Sequence, residues 1–370
     1  MALPWELEED ILSRLPPISL VRFRTVSKHW NSLFNDKTFI NNHLSRSRPE
    51  FIILTNSKIY SVDIIDHNNI DPTIRLHEIP TYDIHSRGTD LNRTIINTCD
   101  EFLFYNYRYW DNMTALWNPW LRQVRWIEYA NQEFCVFGLG YDNSRPEKVY
   151  KILGHLFCHG KVLRDQKVVI YECASDSLRF IDRPEDDDWP ITETAKRSNV
   201  SLNGNLYWFG CSNYENDEYY IRIFDFSTED FKPFCLLPCQ MSHSTDELVL
   251  AVYKGDRFSL LKQCSVTREI GVWVTKERIS NDNGNGGEGV EWLKLMTLSK
   301  PNLPKLFGTV SYFIYGKTLY MCNGDDETAL ACIYIVREDV CKKFQIGSGN
   351  INCRHCVYTP NLLSLPLFIG

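Results

Sequence analysis

No apolar run in the chain reaches the length of about 20 residues needed to cross a bilayer. The opening MALPWELEED is acidic where a secretory leader carries positive charge. Together these lead to the expectation of a soluble protein of the nucleus or cytoplasm, without membrane contact. Positive charge is also in short supply. With 40 Lys and Arg against 47 Asp and Glu, the net charge is −7, which leaves no overall cationic footprint for nucleic acid. Paired cysteine spacings are missing too. The 13 cysteines are odd in number and scattered through strand-like segments, which argues for reduced thiols rather than a disulfide framework.

Catalytic signatures are equally sparse. There is no G-x-S-x-G elbow, phosphate loop or kinase set. Gly284, Gly286 and Gly289 satisfy G-x-G-x-x-G, but residues 290–295 read as a strand where a dinucleotide site needs a helix, so the glycines read as a hairpin loop. His155 and His159 form an H-x-x-x-H pair with Cys158 beside it, yet Leu156 stands where a metalloprotease needs glutamate. Cys353, His355 and Cys356, with Cys332 and Cys341 upstream, are zinc-compatible types without C-x-x-C pairing. Adjacent His355 and Cys356 would also point to opposite faces of a strand. The acidic run at 185–188 reads as a solvated loop rather than a cation site. The expectation is a chain with no cofactor, no metal and no catalytic residue of its own.

What is present begins at the N-terminus. Pro4 suits a first helical turn, Glu6, Glu8, Glu9 and Asp10 face the positive end of the helix dipole, and Pro16-Pro17 stops the helix. Leu7, Ile11 and Leu15 recur at four-residue steps with Leu12 beside them, and Val26, Trp30, Leu33 and Phe34 make a second stripe. Helices this short carry more apolar surface than they can bury among themselves, and about 40 residues seldom fold alone. The excess predicts a docking surface.

This segment, residues 3–44, resembles an F-box, the motif by which substrate receptors join Skp-cullin-F-box ubiquitin ligases. Leu3, Pro4, Leu7, Ile11, Leu12, Leu15, Pro16, Ser19, Leu20, Arg22, Phe23, Arg24, Val26, Lys28, Trp30 and Leu33 follow the plant pattern in order. Ser27 departs from a common Cys, and Pro17-Ile18 from a common Val-Lys. The resemblance implies a Skp-family adaptor as direct partner and cullin as an indirect one. Leu3, Pro4, Leu7, Ile11, Leu12, Leu15, Pro16 and Leu20 are the expected apolar anchors; Phe23 and Trp30 are expected to hold the helices together. Arg22, Arg24 and Lys28 form a small basic face that suits solvent or an acidic adaptor better than nucleic acid.

After residues 46–50, expected to be a linker with few contacts across it, the pattern changes to short runs rich in Val, Ile, Tyr, Phe and Trp, separated by turn clusters such as Asn203-Gly204 and Lys254-Gly255-Asp256. An aromatic-centred strand, a polar turn and a second strand recur around Tyr60, Trp117, Tyr171, Phe224, Trp273 and Tyr334, at steps of 49 to 61 residues. Steps near 50 suit one propeller blade each. The expected architecture is mostly β: a small helical unit at 1–45, then a β-propeller-like domain at 51–370 with six blades favoured, an irregular β-sandwich being the alternative. The paired glycines of ordinary kelch repeats are absent.

The β region resembles the plant F-box-associated domain through Leu116-Trp117-Asn118-Pro119 with Arg122 and Trp126, then residues 137–142, 148–152, 202–208 and 223–226, ending at Tyr358-Thr359-Pro360. That resemblance implies a domain presenting a protein target for ubiquitination, without naming it. A non-ligase scaffold and a propeller enzyme with a helical cap are the other classes. Polar loops at 183–199, 212–218 and 281–289 are the expected places for target capture, because propeller strands spend their backbone hydrogen bonds on one another.

Overall fold

The computed structural model describes residues 4–55, 58–65, 72–80, 94–99, 101–107, 113–129, 134–145, 147–156, 167–181, 199–212, 218–241, 243, 245–280, 289–300, 302–325, 328, 330–338, 340–346 and 354–366. Four helices come first: α1 (Trp5–Leu12), α2 (Pro17–Phe23), α3 (Lys28–Leu33) and α4 (Lys37–Arg46). Pro4 and Pro16 precede α1 and α2 in extended conformation, and Pro17 opens α2 where its missing N–H costs nothing.

Six four-stranded antiparallel sheets follow. The first contains β1 (Glu50–Leu54), β2 (Ile59–Ile65) and β3 (Thr73–Ile79). The second is β4 (Thr94–Cys99), β5 (Phe102–Tyr107), β6 (Met113–Asn118) and β7 (Gln123–Glu128), and the third β8 (Phe134–Asp142), β9 (Val149–Leu156), β10 (Val168–Glu172) and β11 (Ser177–Phe180). The fourth is β12 (Val200–Leu202), β13 (Asn205–Ser212), β14 (Glu218–Asp225) and β15 (Asp230–Leu236); the fifth β16 (Glu247–Tyr253), β17 (Arg257–Gln263), β18 (Ile270–Thr275) and β19 (Trp292–Leu298). The sixth is β20 (Ser311–Tyr315), β21 (Thr318–Gly324), β22 (Ala331–Val336) and β23 (Cys341–Ile346). A last strand, β24 (Arg354–Tyr358), returns to the first sheet, whose order is β24-β1-β2-β3. This is a six-bladed β-propeller, and the sandwich alternative is set aside.

Contacts between sheets run among β24, β4, β8, β12, β16 and β20, so these strands form the inner ring. Burial falls off outward, as a radial array requires. The third strands β6, β10, β18 and β22 are almost wholly buried, whereas the outermost strands β3, β11 and β19 are largely exposed. All six repeating aromatics sit on third strands: Tyr60 on β2, Trp117 on β6, Tyr171 on β10, Phe224 on β14, Trp273 on β18 and Tyr334 on β22. Trp117, Tyr171, Phe224 and Tyr334 fill the widening space between neighbouring blades, whereas Tyr60 and Trp273 are only partly buried.

Polar groups fix the blades against one another. Tyr141 N donates to Gly204 O at 2.9 Å, carrying the end of β8 onto the β12–β13 turn. A Cβ on Gly140 would lie 2.2 Å from both Gly204 O and the Phe226 ring, so no side chain fits at that crossing. Lys151 Nζ bridges Glu229 at 2.7 Å and the Phe226 carbonyl at 3.0 Å, joining blades three and four.

Arg46 closes α4 and Glu50 opens β1, with residues 47–49 between them. Contacts across this connection, expected to be few, are not: Leu121, Leu362 and Leu363 of the β domain pack against the helical core. The helices are too small to bury their own apolar surface, and the propeller supplies the missing side chains.

The ring closes where β1 pairs with β24, from Glu50 opposite Tyr358 to Leu54 opposite Arg354. Glu50 accepts a hydrogen bond from Ser61 Oγ there, and burial pushes its carboxyl up to about 7, with the charge of Asp63 adding to the effect. A carboxyl raised in this way favours the fold below its ordinary value of 4.5, and that contribution is lost as pH rises through about 7. Glu50→Gln keeps the acceptor for Ser61 without the titration. The melting temperature of Glu50→Gln should therefore gain on the wild-type value between about pH 5 and 8. Parallel pH profiles of the two proteins, measured by thermal denaturation, would contradict this.

Candidate functional site

The helical unit is built around Leu12, Leu20, Leu33, Phe34, Phe39 and Ile40, with Leu362 among them. Each helix is short, so its ends matter. Ser27 caps α3 by accepting from His29 N at 3.1 Å and Trp30 N at 3.4 Å, and Asp36 caps α4 by accepting from Thr38 N at 2.8 Å and Phe39 N at 3.0 Å. The serine that departs from the common cysteine thus has a job in this chain.

One face of α1 is clamped to α3. The Trp5 ring lies against His29 with centroids 3.9 Å apart, and Trp30 Nε1 donates to the Glu8 carboxylate. Phe23 packs on Trp30 at 5.5 Å, the structural role expected for that pair. At the far end, Asp10 takes Arg14 and Arg46, each at 2.9 Å, and these hydrogen-bonded guanidinium groups hold its carboxyl below the usual range. Buried His43 approaches the Leu15 carbonyl with Nε2 at 2.9 Å, and desolvation lowers its pKa, so the neutral ring donates to that carbonyl.

With Trp5, Glu8 and Leu12 turned inward, the other face of α1 points out. Leu7 is 53% exposed and Ile11 50% exposed, one helical turn apart on the same side. Pro4 and Pro16 are exposed as well, and Leu15 is half-buried. Leu12, 4% exposed, and Leu20 are core residues, so the structure separates them from the outward set with which the sequence reading grouped them. Leu3 lies outside the described residues. Two outward apolar residues were absent from the expected anchors, Ile18 and Val26. Ile18 could have been found from its position two residues before Leu20 on α2, which places it on the opposite side of the helix.

Only part of each candidate metal or nucleotide grouping lies among the described residues. His355 is buried on β24 with Nδ1 2.6 Å from Ser311 Oγ, and burial pushes it down to about 4. Cys356 lies in an apolar cluster, and burial raises its thiol. His155 is buried on β9, while His159, Cys158, Cys353, Gly284, Gly286 and the acidic run at 185–188 lie outside the described residues. Among the described residues no three His, Cys, Asp or Glu side chains come together in a way that could hold a metal ion.

The caps carry a quantitative consequence. Ser27→Ala removes the acceptor for two N–H groups and should cost about 1 kcal/mol. Urea denaturation reads the loss directly, and a cost near zero would show that α3 is held by packing alone.

Comparison with known proteins agrees with this architecture. Residues 1–42 match the F-box domain model, and residues 50–365 match the F-box associated beta propeller domain. F-box protein At3g17710 of Arabidopsis thaliana is 51% identical over 374 residues, covering 98% of this chain and 97% of its own. An Arabidopsis F-box/LRR-repeat protein, At3g16555, is 48% identical over 372 residues, covering 99% of both. Among solved structures, TolB from Acinetobacter baumannii aligns with a TM-score of 0.45 at 8% identity, over 86% of this chain and 70% of that one, too distant to bear on function. The helical unit and the ring it stands on place this chain in the family of plant F-box proteins that carry an F-box associated β-propeller.

Proposed function

We propose that the chain is the substrate-recognition subunit of a Skp-cullin-F-box ubiquitin ligase, docking a Skp-family adaptor through its helices and reaching cullin through that adaptor. The observation that carries this reading is the outward pair Leu7 and Ile11 on a helix whose other face is already packed. A short helix apolar on both sides wants a partner on the second side. Pro4, Pro16 and half-buried Leu15 extend that surface, with Leu12 and Leu20 supporting it from beneath.

The propeller captures a protein target. In this reading residues 1–45 are the docking unit, 46–50 the joint and 51–370 the receptor domain. The chain performs no chemistry itself; it holds a target lysine near a charged conjugating enzyme, so that a bimolecular encounter becomes effectively intramolecular. No described helix is long and apolar enough to cross a membrane, which suits work in the nucleus or cytoplasm.

Strand topology supports target capture on the rim away from the helices. Strands β4, β8, β12, β20 and β24 end on the rim that meets the helices, as the contacts of Leu121 and Leu362 with the helical core and of Arg48 with the Tyr315 ring at 5.1 Å require. The alternation of antiparallel strands puts Ile181, Asn199, Ser212 and Glu218 on the opposite rim. Two expected capture loops, 183–199 and 212–218, join those positions, and 281–289 joins strand ends on the helix side. Nearly all the residues of these loops lie outside those described.

Docking is tested with Leu7→Asp/Ile11→Asp. Restoring burial to two half-exposed side chains is worth about 1 kcal/mol each, and a buried carboxylate costs more, so adaptor affinity should fall by about tenfold or more with melting unchanged. Leu12→Asp should lose melting temperature as well, because it strikes the core. Calorimetric titration with a Skp-family adaptor measures the first effect. Full affinity in the folded double variant would overturn the docking assignment, and absence of cullin from affinity-purified complexes would favour a scaffold outside the ligase.

A further inference from the structure

The segment after β24 crosses from the ring onto the helices, and its two ends of contact are made of different chemistry. Asn361 is fully buried. Its Nδ2 group faces three acceptors, Glu101 O at 2.6 Å, Thr359 O at 3.1 Å and Tyr358 Oη at 3.2 Å. Its Oδ1 accepts from Asn118 Nδ2 at 3.1 Å and from Leu363 N at 3.0 Å. Asn118, at the end of β6, is fully buried as well; it also donates to Leu363 O at 2.8 Å and accepts from Trp120 N at 3.1 Å and Leu121 N at 3.3 Å. Two buried amides therefore shape two short stretches of backbone at once.

Both stretches deliver leucines to the same place. Leu121 follows Asn118 on the β6–β7 turn, and Leu362 and Leu363 follow Asn361; all three pack on the helical core, where Leu362 is 1% exposed. Leu363 and Leu365 also pack on the core between blades two and three, and Leu365 N donates to Gln123 Oε1 at 3.0 Å. The covalent joint at 47–49 reaches blade one, and Arg48 stacks on Tyr315 of blade six. A single joint of three residues permits rotation, and relative motion is what a small interface between units ordinarily allows. A second attachment on blade two removes that freedom.

We infer that the segment 359–366 is a strap that fixes the angle between the docking helices and the propeller, with Asn361 and Leu362 as its positioning residues. The buried amide pair is the anchor on the ring; Leu362 is the plug in the helices. The ubiquitination consequence rests on the ligase reading above, whereas the fixed angle does not. With the angle held, a target on the free rim stands at one distance from the conjugating enzyme, and a restricted set of lysines comes within reach.

The experiment uses the full chain, with and without a Skp-family adaptor, carrying spin labels on p-acetylphenylalanine introduced at exposed Asn42 on α4 and exposed Thr267 on the far rim, so that native thiols stay unlabelled. Electron–electron double resonance should give one narrow distance distribution. Leu362→Ala, which leaves the amide network in place, should broaden it by about twofold or more, and Leu362→Met, close in volume, should restore it. Asn361→Ala should broaden it likewise where that variant folds. In the reconstituted ligase the Leu362→Ala chain should be self-modified at more lysines than the wild type, with adaptor affinity within about threefold of the original. A narrow distribution in folded Leu362→Ala overturns the strap. Failure of the wild-type chain to bind adaptor would instead overturn the ligase reading and leave the distance result standing.

Discussion

Everything in this molecule depends on five residues of backbone pairing between β1 and β24. The first blade has no inner strand until the end of the chain arrives, so the inner side of β1 lacks a strand partner for most of the length of the sequence. Such pairing is the most non-local strand pairing among the described residues, and its loop-closure cost falls before any reward. Closure also decides where the two termini lie. The N-terminal helices enter immediately before β1 and the C-terminal segment leaves immediately after β24, so one seam places both on the same rim.

Polar groups held without full solvation recur at this seam and at the blade junctions. Glu50 and His355 both sit on it, one pushed up to about 7 and the other down to about 4, each favouring the neutral form. Elsewhere Lys151 and Glu229 are paired, and hydrogen bonds from Arg179 and Lys151 outweigh the desolvation of Glu229 and lower its pKa. Partly buried pairs of this kind add little net stability, yet breaking one is costly, so they suit fixing one blade's register on the next. Apolar contacts fill the blades, and polar contacts say how neighbouring blades meet.

Much of this was legible in the sequence, for physical reasons that can be named. Pro4 marks a helix start and Pro16-Pro17 the end of that helix by local chemistry alone, and the third-strand aromatics repeat because a radial array repeats, whereas the caps Ser27 and Asp36 emerge only from the structure. Leu7, Ile11 and Leu12 were harder. All three belong to one apolar stripe, and only the position of α3, fixed through Trp5, His29, Glu8 and Trp30, decides which of them faces inward. The closing strand was not legible either, since residues 354–358 look like any other short β run. The strap gave still less signal: Asn361 and Leu362 are ordinary residues in a Pro-flanked tail, and their meaning comes from Asn118, more than two hundred residues away in sequence.

The chain presents an outward apolar helical face on one rim of the ring, and the proposed target surface lies on the other. Hydrogen–deuterium exchange of the full chain, alone and with a Skp-family adaptor, tests that separation most directly. Protection should be confined to α1 and α2, with exchange unchanged in the far-rim turns at 264–269 and 302–309. Protection centred on the far rim, or none on α1, would contradict it.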